Sequence, residues 1–125
     1  MMAVKRGKVI NVAPMWGLMG TSGLMPFPAY SAAKGEVVIF TRELGLEYAP
    51  HGINVNALCP GFFNTNIGGG ASKDPQFLQA AIVYTQMKRI AEAEEIKGSA
   101  LYLASSASDF MCGHTLVIDG GALAG

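Results

Sequence analysis

A tyrosine and a lysine stand four positions apart in the segment Tyr30-Ser31-Ala32-Ala33-Lys34. If this segment is helical, the two side chains leave the same face one turn apart, because positions i and i+4 are neighbours on a helix. A free tyrosine titrates near pH ~10, and a nearby ammonium group favours the phenolate and so lowers that pKa. Such a pair could donate or accept a proton nearer neutral pH. The same spacing also occurs on ordinary amphipathic helices. The flanking sequence is therefore needed to distinguish a catalytic pair from a spacing without function.

Strands and helices alternate along the sequence around this pair. Short β-branched or continuously apolar runs predict strands at 7–13, 53–58 and 115–119. Apolar periodicity between proline and glycine stops predicts helices at 29–49, about 75–85 and 92–105. The longest helix is expected to carry an apolar stripe formed by Ala33, Val37, Phe40, Leu44 and Tyr48. The order of these elements predicts an α/β fold, a single domain of 125 residues with a parallel sheet of about three strands.

Three turns follow the carboxyl ends of the predicted strands, and the long helix begins near the same edge. The turns start at Pro14, at 60–65 and at 119–121. Ligands of open parallel sheets bind beyond the carboxyl ends of the strands. Tyr30 and Lys34 are therefore expected at the ligand-binding edge. This position favours the interpretation that they form a catalytic pair.

The overall composition is apolar and electrically balanced. Half of the residues are hydrophobic, 14% are charged and the formal net charge is zero, so a nucleic-acid interface is not indicated. No apolar run approaches the ~20 residues of a membrane span, and the start of the sequence lacks the apolar core of a signal peptide. The apolar segment 15–28 either walls a ligand pocket or lies against a partner subunit.

The cysteines and histidines do not form a recognisable site. Two cysteines are too few for a disulfide framework, so Cys59 and Cys112 are expected to be buried free thiols in a reducing, cytoplasmic setting. His51 and His114 stand apart from other potential ligands, and no metal site is predicted.

Four segments and one further residue occur in an order that is typical of a known family. They are 7–12, 29–34, 52–61, Thr65 and 113–121, and together they resemble the C-terminal half of a short-chain dehydrogenase/reductase. The resemblance implies a partial Rossmann-like, doubly wound parallel sheet with a long helix after the first strand. It implies an NAD- or NADP-dependent oxidoreductase that acts on a small carbonyl or alcohol substrate. It also implies that the helix 29–49 packs against its copy in a homo-oligomer.

The resemblance further implies roles in catalysis and cofactor binding. Tyr30 would exchange a proton with the substrate oxygen, while Lys34 would lower the pKa of the phenol and bind the nicotinamide ribose. The turn at 60–61 would approach the nicotinamide, and the residues that follow it would hold the carboxamide or the pyrophosphate. The implied cofactor-binding residues are Tyr30, Lys34, Pro60, Gly61, Phe63 and Thr65.

The sequence departs from the family pattern in two places. It contains no glycine-rich dinucleotide loop, which the family carries in its N-terminal half, and Gly68-Gly69-Gly70 does not join a strand to a helix. Pro14 stands where the family has a serine that hydrogen-bonds the substrate oxygen, and proline has no hydroxyl and no N–H. Thr21 or Ser22 would have to supply that hydroxyl.

These departures define an alternative hypothesis. The chain would then be a truncated, catalytically impaired fragment that acts only as a self-associating or partner-binding module. In the family, the strand at 9–13 is central and paired on both sides, and here one side is expected to lack its neighbour. An apolar strand with an open edge tends to pair with another chain, so this hypothesis predicts self-association.

Overall fold

The computed structural model describes residues 5–13, 28–64 and 75–124, and for residues 28–34 and 76–77 it describes the backbone only. The strands are β1 (Gly7–Val12), β2 (Ile53–Pro60), β3 (Phe63–Asn64), β4 (Ala91–Glu92) and β5 (Thr115–Ile118). The α-helices are α1 (Pro28–Tyr48), α2 (Pro75–Tyr84) and α3 (Lys97–Ala104). Short 3₁₀ turns span Ala49–His51, Ala93–Ile96 and Ser106–Ser108. The predicted α/β class is confirmed.

A three-stranded parallel sheet forms the centre of the fold, in the order β1-β2-β5. The register pairs Gly7 with Ile53 and Val12 with Leu58 on one side of β2, and Pro60 with Ile118 on the other. β2 is the most buried strand because it is paired on both sides and is apolar except at Asn54 and Asn56, whose side chains are hydrogen-bonded to the loop before β5. A second, two-stranded parallel pair, β3–β4, was not predicted from the sequence, since each strand has only two residues.

Helix α1 lies across one face of the sheet and runs antiparallel to the strands. Near its middle, Val38 packs against Ala13 and Ala57 in a buried cluster. One turn later, the Thr41 hydroxyl accepts a hydrogen bond from Asn11 Nδ2 at 3.0 Å. The last turns of α1 lie near the amino ends of the strands, because the chain enters β2 at Ile53 soon after the helix ends. The first turns of α1 therefore lie at the carboxyl edge of the sheet.

The predicted apolar stripe of α1 is wrong at Phe40 and is not the most buried side of the helix, although Val37 packs against the core. The most buried side of the described part of the helix is formed by Val38, Thr41 and Gly45, whereas Phe40 is 58% exposed. Thr41 tolerates burial because its hydroxyl donates to the Val37 carbonyl oxygen and accepts from Asn11. Gly45 lies there because a Cβ at this position would stand 2.8 Å from the Gly113 backbone. A hydrophobicity pattern does not detect a buried face built from a satisfied hydroxyl and a close backbone contact.

The opposite face of the sheet is covered by α3 and the turn after it. Lys8 Nζ donates to Asp109 Oδ1 at 2.7 Å and to Ser108 Oγ at 3.3 Å, which connects β1 to this layer. Leu103 of α3 is 1% exposed and is among the largest fully buried side chains. The helix predicted at 92–105 is shorter in the structure, because a 3₁₀ turn precedes α3.

Glu95 holds this 3₁₀ turn through two kinds of hydrogen bond. Its carboxylate accepts from both Arg89 guanidinium nitrogens, at 2.7 and 2.8 Å, and from the Glu92 backbone N–H at 2.8 Å. The hydrogen bonds from Arg89, followed by that from Glu92, lower the pKa of Glu95 from 4.5 to about 2. Because the pKa in the folded state is depressed, the stabilisation is present above about pH 4.5 and is lost as the pH falls toward 2.

Replacing Glu95 with glutamine is therefore expected to reduce the loss of stability between pH 4.5 and 2, while lowering stability modestly at neutral pH. Chemical denaturation at a series of pH values measures this effect. Glu94→Gln is the matched control, because the Glu94–Lys97 ion pair is exposed at both side chains. Equal acid sensitivity of the parent protein and the Glu95→Gln variant would contradict the assignment.

Candidate functional site

The carboxyl ends of β2 and β5 meet in a tight backbone contact. Pro60 ends β2, and the N–H of the next residue, Gly61, donates to the Ile118 carbonyl oxygen at 2.9 Å. A Cβ on Gly61 would lie 2.8 Å from both Cα and Cβ of Asp119, so only glycine allows this approach. The turn at 60–61 and the turn that follows β5 therefore form one continuous wall at this edge.

Asp119 closes the turn after β5 with its carboxylate. Oδ1 accepts from the Gly121 N–H at 3.0 Å, and Oδ2 accepts from the Leu123 N–H at 2.8 Å. Both carboxylate oxygens are thus used to hold backbone N–H groups. This arrangement makes Asp119 a residue that fixes the turn, because its acceptor groups are already engaged by the chain.

Helix α1 brings the backbone of Tyr30 and Lys34 to the same edge. Val38 packs against Ala13, the residue that follows β1, and Lys34 precedes Val38 by one helical turn. At a rise of about 1.5 Å per residue, the Lys34 backbone lies about 6 Å and the Tyr30 backbone about 12 Å beyond Val38 along the helix. The two residues are therefore on the part of α1 that extends toward and past the carboxyl ends of the strands.

The remaining predicted site residues divide into two groups. Pro60, Gly61 and Phe63 lie together at the carboxyl edge, and Phe63 is half-buried in β3. The other four positions lie outside the described residues, and they are Pro14, Thr21, Ser22 and Thr65. Of the predicted site residues, the structure thus brings to the carboxyl edge the turn at 60–63 and the backbone of Tyr30 and Lys34.

A cavity of about 210 Å³ lies between this turn and the segment that follows α2. Phe63 and Ile118 line one part of it, and Thr85 and Met87 line another. Thr85 is 3% exposed, and its hydroxyl has no hydrogen-bond partner among the described residues. The resemblance implied that the segments 15–28 and 62–85 shape the substrate site, but the sequence did not single out Thr85 or Met87, because their connection has no recognisable motif. A larger cleft of about 770 Å³ lies at the amino edge, away from the strand ends that carry the candidate site.

The two cysteines differ in environment. Cys59 is fully buried beside Val117 and Ala122, as predicted. Burial, and to a smaller extent the Asp119 carboxylate, raise the pKa of its thiol from 9.0 to about 11. Cys112 was also expected to be buried, and this prediction is wrong, since the residue is exposed in the loop before β5 and its Sγ donates to the Gly45 carbonyl oxygen.

These environments predict selective alkylation. At pH 8, a thiol with a pKa of about 11 has roughly 0.1% thiolate, and burial limits access further. Iodoacetamide should therefore modify Cys112 in the folded protein and leave Cys59 unmodified, as read by peptide mass spectrometry. A Cys112→Ser variant should take up no label until denaturant is added. Equal labelling of both cysteines under native conditions would contradict this prediction.

Other kinds of site receive no support from the described part of the chain. Within residues 5–13, 28–64 and 75–124, no three histidine, cysteine, aspartate or glutamate side chains lie close enough together to hold a metal ion. None of the helices in those ranges is long and apolar enough to cross a membrane.

Comparison with known proteins identifies the family. A family model described as enoyl-(acyl carrier protein) reductase matches residues 1–122. The chain is 39% identical over 119 residues to 5-keto-D-gluconate 5-reductase of Escherichia coli K12, and 38% identical over 118 residues to 2-dehydro-3-deoxy-D-gluconate 5-dehydrogenase of Dickeya dadantii. These matches cover 95% and 94% of this chain and 46% of each relative. The chain therefore belongs to the short-chain dehydrogenase/reductase family.

Solved structures agree with this assignment. A gluconate 5-dehydrogenase from Burkholderia cenocepacia J2315, crystallised with NADP and tartrate, superposes with a TM-score of 0.90 at 33% identity. A short-chain type dehydrogenase/reductase from Mycobacterium marinum superposes with a TM-score of 0.87 at 31% identity. The matches cover 99% and 97% of this chain but 48% and 46% of those chains. The chain thus spans about half the length of the relatives that it matches, and it has the partial Rossmann-like fold implied by the sequence resemblance.

Proposed function

We propose that this chain supplies the proton-transfer part of an NAD(P)-dependent oxidoreductase site. The observation that carries the proposal is the position of the first turns of α1 at the carboxyl edge of the sheet, the same edge at which the Pro60–Gly61 turn lies. Family membership supports oxidoreductase chemistry, and Tyr30 and Lys34 are the groups on those turns that can move a proton.

The proposed roles follow from the chemistry of carbonyl reduction. A bound reduced nicotinamide supplies the hydride that the carbonyl carbon accepts. The Tyr30 phenol donates its proton to the carbonyl oxygen as the alcohol forms, and the Lys34 ammonium stabilises the phenolate that remains. In the direction of oxidation, the phenolate takes the proton from the alcohol. Lys34 would also bind the nicotinamide ribose.

The carboxyl edge has features that suit the nicotinamide end of NAD or NADP. Phe63 borders the cavity of about 210 Å³, and Thr85 and Met87 line another part of it. Pro60, Gly61, Phe63 and Thr65 would hold the cofactor together with Tyr30 and Lys34. The Burkholderia cenocepacia relative was crystallised with NADP, which supports NADP as the first cofactor to test.

Sugar acids are the proposed substrate class. The relatives named above are a 5-keto-D-gluconate reductase, a 2-dehydro-3-deoxy-D-gluconate dehydrogenase and a gluconate dehydrogenase. These names share a polyhydroxy carboxylate with a ketone or alcohol carbon. A small ketone of this class is therefore the substrate to test first.

The proposal is tested by two separate measurements. Isothermal calorimetry with NADPH and NADH reports cofactor binding, and the loss of NADPH absorbance on addition of 5-keto-D-gluconate reports turnover. Binding followed by turnover supports the proposal. The alternative hypothesis, a fragment that only binds partners, predicts that neither signal is seen.

A homo-oligomer built through α1 is part of the proposal. The outward side of the helix exposes Ile39, Phe40 and Leu46, by 56%, 58% and 74% respectively. Exposed apolar side chains on one helix suit a helix–helix contact with a second copy. Light scattering at micromolar concentration is expected to give at least the mass of a dimer, and a clean monomer would contradict this expectation.

A further inference from the structure

We propose that the hydrogen bond between Asn11 and Thr41 positions the proton-transfer pair, by fixing where α1 lies along the sheet. Asn11 belongs to β1 and Thr41 to the middle of α1, and Asn11 Nδ2 donates to Thr41 Oγ1 at 3.0 Å. Both are positioning residues, because Thr41 lies about two helical turns beyond Lys34 and about three beyond Tyr30. The catalytic consequence rests on the proposed function, whereas the position of the helix can be tested without it.

The Thr41 hydroxyl connects β1 to the backbone of the helix. It accepts from Asn11 and donates to the Val37 carbonyl oxygen at 2.7 Å. Thr41 is fully buried, so water does not reach this hydroxyl. A displacement of α1 would leave the Asn11 amide without its acceptor, and a hydrogen bond left unmade in a buried position is costly. The strand therefore holds the helix at the turn between Val37 and Thr41.

The apolar contacts beside this bond are less directional. Val38 packs against Ala13 and Ala57, and the two alanine side chains are single methyl groups. Apolar burial has no preferred angle, whereas a hydrogen bond requires both a distance and an angle. Where the side chains of α1 are described, this is the only side-chain hydrogen bond between the helix and the sheet. The other bond to a distant element reaches Gly45 from the loop before β5, near the far end of the helix.

The hydrogen bond and the apolar cluster agree on one register of the helix. Asn11 and Ala13 are two positions apart in the strand, so they face the same side of the sheet. Thr41 and Val38 are three positions apart in the helix and share one side of it. The two contacts run in opposite order along the two elements, as an antiparallel arrangement requires. The bond therefore belongs to one defined position of α1 on β1.

A small tilt of α1 at Thr41 would be amplified toward the candidate site. The Lys34 and Tyr30 backbones lie about 10 and 16 Å from Thr41 along the helix axis. A tilt of about 6° would therefore move these backbones by about 1 and 2 Å. A misplacement of about 1 Å caused far from the chemistry can lower a rate by about 100-fold. The bond between Asn11 and Thr41 is thus placed to control the rate without touching the reacting atoms.

The test compares Thr41→Val with Thr41→Ser. Valine keeps the branched shape and removes the hydroxyl, whereas serine keeps the hydroxyl. Thr41→Val is expected to lower turnover in the 5-keto-D-gluconate assay by about 10- to 100-fold, and Thr41→Ser is expected to retain most of the turnover. Ser108→Ala is the matched control, because it removes a buried hydroxyl on the opposite face of the sheet. This control should leave turnover within about twofold.

Nuclear Overhauser effects give a readout that does not depend on turnover. The contact between the methyl groups of Val38 and Ala13 reports the position of α1 on β1. It should weaken in Thr41→Val and persist in Thr41→Ser and Ser108→Ala. An unchanged contact in Thr41→Val, or an equal loss of turnover in Ser108→Ala, would overturn the inference. A contact that changes as expected in a protein without turnover would refute the proposed function and leave the positioning of α1 intact.

Discussion

Replacing Tyr30 with phenylalanine is expected to lower turnover in the 5-keto-D-gluconate assay by ~10²- to 10⁴-fold, because a positioned general acid contributes about that much. The substitution removes one hydroxyl from the six proposed cofactor-binding residues and keeps the ring, so nucleotide affinity should fall far less than turnover. The rate is measured by NADPH consumption and the affinity by calorimetry on the same preparations. A fall in turnover that greatly exceeds the fall in affinity is the signature of a group that acts on the reacting atoms.

Tyr48→Phe is the matched control for this experiment. Tyr48 is the last residue of the same helix and lies at the opposite end from the carboxyl edge. The same substitution there should leave turnover within about twofold, since it removes no group from the proposed site. Equal effects of the two variants, or full activity of Tyr30→Phe, would show that Tyr30 is not the acid/base.

Replacing Gly61 with alanine is expected to lower the free energy of unfolding by ~1–3 kcal/mol, because the added methyl group collides with Asp119. The nearest atoms are the Asp119 Cα and Cβ, both 2.8 Å from the position of the new Cβ. Neither atom is the end of a flexible side chain, so the ends of β2 and β5 would have to separate. Chemical denaturation measures the loss.

Gly98→Ala is the matched control for Gly61→Ala. Gly98 lies in α3, and a Cβ there would meet no other atom within 4 Å. Alanine in place of an exposed helical glycine should raise stability, by up to ~1 kcal/mol. Equal effects of the two substitutions on the free energy of unfolding would contradict the close contact between the turns. A larger loss for Gly61→Ala would show that packing against Asp119 by itself requires glycine at this turn.

The strands and the long helix could be predicted from sequence because their signals are local. β1, β2 and β5 are short apolar runs bounded by glycine or proline, and α1 ends where Pro50 and Gly52 prevent its continuation. Their alternation was sufficient to predict a parallel sheet of three strands. The convergence of the turns at the carboxyl edge then followed from the topology.

The features that sequence could not supply depend on contacts between distant residues. Thr41 is buried because Asn11, 30 positions away, satisfies its hydroxyl. The pair β3–β4 joins strands of two residues that carry no pattern of their own. Cys112 is exposed because its loop passes along the surface, although its neighbours in sequence are apolar. The cavity beside Thr85 likewise exists only when three separate segments fold together.

The proposed pair of Tyr30 and Lys34 is tested most directly by titrating Tyr30. The titration is monitored by NMR on protein labelled with ¹³C at the tyrosine ring carbon bonded to oxygen. If the two residues form a proton-transfer pair, Tyr30 titrates below the ~10 of a free tyrosine and Lys34→Met raises its pKa toward that value. The variant removes the ammonium group and keeps most of the apolar stem. A Tyr30 that titrates like a free tyrosine in both proteins would contradict the central claim that these two residues form a proton-transfer pair.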